Sequence, residues 1–132
     1  ADGLCSREFN KQTHKKILAC TDGAAVLHMC SEHLNQFDSF NLLAALYRVA
    51  QLKGDRRELL QDCRFHELLT KVHAVVSQLQ PRHLANTAWA IAKLRVNDEP
   101  LLESISSAAL TRCENFQVHE LATLVWSVAS LG

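Results

Sequence analysis

His28, Cys30 and His33 form the tightest cluster of metal-ligating side chains in the chain. On a helix Cys30 and His33, three residues apart, share a face, while His28 points away from Cys30. A closed zinc site takes four ligands, so a pair on one helix needs two more from elsewhere. Cys30 also stands in a column that Val72 and Ala109 fill in two later segments, which marks it as a core side chain. No metal or cofactor is expected. A Cys/His/Asp catalytic arrangement depends on convergence in space rather than in sequence. His66, His73, His83 and His119 fall on faces expected to be solvated, or at helix starts. The chain has no nucleophile elbow, glycine-rich phosphate loop, paired-carboxylate signature or metalloprotease helix. A protein without catalytic residues is therefore expected.

The elements that would position these side chains are set by an internal repeat. LANTAWAIAKL (Leu84 to Leu94) is echoed 37 positions later by LATLVWSVASL and 42 positions earlier by LLAALYRVAQL. Aligned, the shared columns are Leu42/Leu84/Leu121, Tyr47/Trp89/Trp126, Val49/Ile91/Val128, Ala50/Ala92/Ala129 and Leu52/Leu94/Leu131. A preceding stripe repeats as well: Val26/Leu68/Ile105, Cys30/Val72/Ala109, Leu34/Val76/Cys113 and Phe37/Leu79/Phe116. Each stripe has the 3.6-residue period of an amphipathic helix. Repetition at this spacing predicts an all-α fold, an α-solenoid of about three stacked antiparallel hairpins, each a helix A followed by a helix B.

Taken in order, residues 1–10 read as a loose lead-in, and residues 11–20 as a short basic helix anchored by Ile17 and Leu18. The N-terminal extension so defined spans residues 1–22, and the helical-repeat domain residues 23–132, with repeats at about 23–53, 65–95 and 98–132. Asp22, Asp38 and Asp98 are the expected N-caps, and Pro81 the expected first-turn proline of the second B helix. Residues 53–64 make the first repeat about five residues longer, with Gly54 ending the helix and a short extra turn after it.

Composition sets the outer bounds. Hydrophobic residues make up 48%, with two prolines and four glycines, which excludes a disordered chain. Five cysteines without short paired spacing favour buried reduced thiols over a disulfide framework. No apolar run reaches the ~18 residues that a membrane span requires. Fourteen basic residues balance fourteen acidic ones, a balance that weighs against strong nucleic-acid binding. A chain starting at Ala1 is expected to be either an imported protein freed of its targeting peptide or a piece of a longer one.

The B-helix columns that do not repeat are Asn41/His83/Glu120, Ala44/Asn86/Thr123, Arg48/Ala90/Ser127 and Gln51/Lys93/Ser130. They are expected to lie along one face opposite the core, either as a solvated surface or as readout positions for RNA or a partner. The candidate contacts are Asn41, Arg48, Gln51, Lys53, Arg82, His83, Asn86, Lys93, Arg95, Thr123, Ser127 and Ser130.

LANTAWAIAKL and ELATLVWSVASLG, preceded by HKKILAC, EHLNQFDSFNLLAALYRVAQL and CRFHELL, resemble octotricopeptide and heptatricopeptide repeat proteins. These are helical arrays akin to FAST-kinase-like and RAP-domain proteins of algal and alveolate organelles. The resemblance runs from about Lys15 to the end; Tyr47 replaces the tryptophan of the other copies, and Ala44 stands where Asn86 does. It implies an α-solenoid that binds single-stranded RNA in a chloroplast or mitochondrion and acts in transcript stability, processing or translation. The alternative is a protein-binding scaffold or accessory subunit of a large organellar complex, ribosomal, respiratory or photosynthetic.

Overall fold

The computed structural model describes residues 2–52 and 54–131, with side chains described from residue 7 onward. Within these residues the chain is all-α, with eight α-helices: α1 (Asp2–Ala19), α2 (Gly23–His33), α3 (Ser39–Gln51), α4 (Arg56–Gln61), α5 (Cys63–Val75), α6 (Pro81–Leu94), α7 (Glu99–Thr111) and α8 (Val118–Leu131). No helix among the described residues is long and apolar enough to cross a membrane.

The backbone itself repeats three times. α2, α5 and α7 each run into a single 3₁₀ turn, Leu34–Gln36, Val76–Gln78 and Cys113–Asn115. Each turn ends on an extended apolar residue, Phe37, Leu79 or Phe116, whose N–H donates to the carbonyl of Leu34, Val76 or Cys113. A B helix then starts. Capping sets the helix starts: at the A helices α2 and α7 the Asp22 carboxylate accepts from Ala25 N–H at 2.7 Å and that of Asp98 from Leu101 N–H at 3.2 Å. Asp38 forms a full capping box with Asn41, and Pro81 occupies the first turn of α6, where its missing N–H costs nothing. α6 ends at Arg95, a non-glycine residue in the left-handed region at φ 56°.

The chain forms two compact units, residues 1–69 and 70–132. In the first, α3 packs against both α1 and α2 around Ile17, Val26, Leu27, Leu42, Leu46 and Val49. In the second, α6 packs along α8 and against α7, and α7 against the 3₁₀ turn at Val76–Gln78. Leu84, Ile91, Leu101, Ile105 and Phe116 are buried there. The stripe expected for the second A helix, Leu68, Val72, Val76 and Leu79, is buried throughout, and Phe65 and Leu69 are buried with it.

Two expectations for the N-terminal region are corrected. Residues 2–10 belong to α1 rather than to a loose lead-in. The anchors of that helix are Thr13 and Ile17, while Leu18 is exposed. The Phe9 ring meets the His33 ring edge-on at 5.5 Å, so Phe9, Thr13 and Ile17, four residues apart, form one inward row.

Candidate interaction surface

A helix with neighbours on two sides buries two stripes, and that single fact reorganises the expected contact face. On α6 the sealed residues are Leu84, Ala88 and Ile91 in one row and Thr87, Ala90 and Leu94 in another, with Ala85 and Ala92 also buried. Only Arg82, Asn86 and Lys93 remain fully exposed on the helix, with Trp89 half-buried beside them. Their spacing of four, three and four residues places all four on one face. α6 contains no acidic residue, and Arg95 lies exposed directly after it, so this part of a neutral chain is locally basic. His83, half-buried, has its pKa lowered by burial and then by the neighbouring Arg82 charge, which favours the neutral ring.

Several residues expected on the solvent face are not there. Asn41, Ala44, Ala90, Glu120 and Ser127 are buried. The Asn41 amide donates to the Asn10 carbonyl at 3.0 Å while its oxygen accepts the Asp38 N–H at 3.1 Å. Ser127 donates to the Thr123 carbonyl at 2.7 Å, and the Glu120 carboxylate accepts the Gln117 N–H at 2.8 Å. Arg48 is half-buried, its guanidinium donating twice to the Cys20 carbonyl. Asn41 and Arg48 thus tie α3 to α1 and the residue after it, while Ser127 and Glu120 bond within α8 and at its start. Asn41 and Ser127 therefore leave the set of residues able to touch a ligand, and Arg48 is already engaged.

Of the remaining candidates, Gln51, Arg82, Asn86, Lys93, Arg95 and Ser130 are exposed, while His83 and Thr123 are half-buried. Lys53 lies outside the described residues. Arg82, Asn86, Lys93 and Ser130 occupy adjacent helices of the second unit; Gln51 is in the first.

The core columns also divide. Trp126 and Val128, expected to be interior like their α6 counterparts, are exposed on α8, together with Val118, Leu121 and Val125. The physical reason is the number of neighbours: α8 packs along α6, and its buried residues are Glu120 and Ser127 on that one side.

The cluster at His28, Cys30 and His33 resolves into separate roles. His28 and His33 both approach Glu32, at 2.7 and 3.5 Å, on the exposed side of α2. Cys30 is buried, and desolvation pushes its thiol up to about 12, well away from the thiolate that would bind metal or attack a substrate. Among the described residues no group of three His, Cys, Asp or Glu side chains is placed to hold a metal ion. An open groove of about 630 Å³ runs beside α7, where His73 Nε2 meets the Ser104 hydroxyl at 2.8 Å. At one end Arg112 donates to the carbonyls of Ser77, at 2.8 Å, and Leu79.

The chain matches no protein-family model, no curated protein and no solved structure.

Proposed function

We propose that this protein is a non-catalytic α-solenoid module that holds single-stranded RNA along the solvent face of its B helices. The observation that carries the reading is the α6 stripe of Arg82, Asn86 and Lys93, exposed, free of acidic neighbours on its helix and bordered by Trp89. Arginine and lysine neutralise phosphate, asparagine pairs with base edges, and an aromatic edge offers a stacking surface. The three repeated A–turn–B backbones support the solenoid, and the resemblance of LANTAWAIAKL to octotricopeptide-type repeats supports a chloroplast or mitochondrial setting with a role in transcript stability, processing or translation.

The test is fluorescence anisotropy with labelled single-stranded RNA across a salt series. Binding that weakens with salt and is lost in the triple variant Arg82→Ala, Asn86→Ala, Lys93→Ala supports the reading. RNA binding that is absent, or unchanged in that variant, overturns it.

A second reading is a protein-binding scaffold or accessory subunit of a large organellar complex. The overall charge balance of fourteen against fourteen and the bare apolar side of α8 favour it.

A further inference from the structure

Charge along α1 is laid out in rows. Arg7, Lys11 and Lys15 are exposed and stand four residues apart, so all three share one face, with half-buried His14 beside them and exposed Leu18 at the end. No acidic residue falls in this row; Glu8 lies in the next one, with Gln12 and Lys16. Among the described residues none of Arg7, Lys11, Lys15 and Lys16 enters an ion pair. The next carboxylates along the chain are engaged elsewhere: Asp22 caps α2, Glu32 faces His28 and His33, and Asp38 accepts the Asn41 N–H at 2.8 Å. α3, on which α1 packs, contains no acidic residue. Lys16 is placed to offset the negative end of the helix dipole, but Arg7 and Lys11 stand before the last turn, where that field has faded.

Packing this row against a neutral surface would bury cations without compensation, which desolvation of charge makes costly. The row therefore keeps to water or meets an anion, whatever else packs on the first unit. A four-residue step along a helix is about 6 Å, comparable to the step between successive phosphates of a nucleic-acid strand. We infer that the Arg7–Lys11–Lys15 row is a second RNA contact, one that grips the phosphate backbone of a single strand and reads no base. An anionic bilayer fits the row less well. A helix lying in a membrane interface must offer an apolar side, and the inner row of Phe9, Thr13 and Ile17 is taken up within the first unit. The α1 row belongs to the first unit and the α6 stripe to the second. The inference rests on the proposed function for the class of ligand and on none of its residues.

The test is fluorescence anisotropy of the full chain with labelled single-stranded homopolymers of U, A and C over a salt series. A neutral variant carries Arg7→Gln, Lys11→Gln and Lys15→Gln; a charge-keeping control carries Arg7→Lys, Lys11→Arg and Lys15→Arg. The neutral variant is expected to lose affinity by the same factor on all three homopolymers. Its slope of log affinity against log salt is expected to be shallower by about 2, the release expected from three phosphates of a single strand. The control is expected to bind like the parent. An unchanged slope in the neutral variant overturns the inference, as does a loss that depends on the base or is shared by the control. A neutral variant that binds RNA normally but no longer binds phosphatidylserine vesicles also overturns it, because the row then serves a membrane. Loss confined to the Arg82, Asn86 and Lys93 triple variant removes this contact and keeps the α6 stripe. Loss confined to the α1 variant does the reverse, and a parent that binds no RNA removes both.

Discussion

The Arg48 guanidinium closes on the Cys20 carbonyl with two hydrogen bonds, from Nε at 3.1 Å and Nη2 at 2.9 Å. The acceptor lies one residue past the end of α1, where unpaired carbonyls concentrate the negative end of the helix dipole. A side chain that sequence patterning offers as a surface readout is thus a brace between α3 and the end of α1. Arg48→Ala is expected to destabilise the protein by about 1–3 kcal/mol, the usual range for a charge-assisted bond with part-buried partners. Arg48→Lys should recover only part, since an ammonium lacks the planar fork. Urea unfolding of the three proteins measures it, and a loss below a few tenths of a kcal/mol, on the order of a surface substitution, would contradict the brace.

Asn41 links the α3 N-terminus to α1 through the capping box with Asp38 and the bond to the Asn10 carbonyl. Asn41→Ala removes the bond to Asp38 N–H and leaves the Asn10 carbonyl without that donor. A loss of about 1–3 kcal/mol is expected, larger than for an exposed cap. Asn86→Ala, the exposed substitution on the next B helix, is expected to stay within about 0.5 kcal/mol in the same assay.

The thiols should separate by burial. Cys63 and Cys113 are exposed, Cys20 is half-buried with its pKa raised by desolvation, and Cys30 is buried with its pKa pushed up to about 12. Alkylation in the native state, mapped by peptide mass, is expected to label Cys63 and Cys113 first, Cys20 later and Cys30 only on unfolding. The linkage has a definite sign. Between the ordinary cysteine pKa near 9 and about 12, folded Cys30 holds a proton that the unfolded chain has released, so its contribution to stability falls as pH rises through that window. Cys30→Val is expected to flatten this part of the alkaline unfolding profile.

Arg95 ends α6 at φ 56°, a conformation glycine adopts without steric cost. Arg95→Gly is expected to raise stability by about 0.5–1 kcal/mol while removing one exposed positive charge. A stability gain accompanied by weaker RNA binding would separate the two roles of this position. Thermal unfolding and anisotropy on the same samples provide the readout.

On α5 the A-helix stripe was legible because that helix buries one broad apolar row, and Phe65, Leu68, Val72 and Val76 stand out against charged neighbours. In the other copies Leu34 and Phe37 are half-buried and Cys113 is exposed, against the same pattern. The caps were legible because Asp22, Asp38 and Asp98 precede apolar-periodic runs, and each caps as expected. The B helices were harder. A column that varies between copies looks like free surface, yet Asn41 and Arg48 donate to the carbonyls of Asn10 in α1 and of Cys20 just after it. Ser127 shows the same ambiguity from the other side, a small hydroxyl buried by satisfying itself on the Thr123 carbonyl. Trp126 was misplaced for a different reason: periodicity marks a face that can be buried, while burial also requires a neighbour. The Phe9–Thr13–Ile17 row was a signal in plain view, diluted by the polar residues around it.

The proposed RNA contact is tested most directly by photocrosslinking single-stranded RNA to the full chain and mapping the attached peptide by mass spectrometry. The predicted adducts fall within residues 82–95, around Arg82, Asn86 and Lys93. Adducts confined to other segments, or no adduct under conditions that crosslink a known RNA binder, would contradict it.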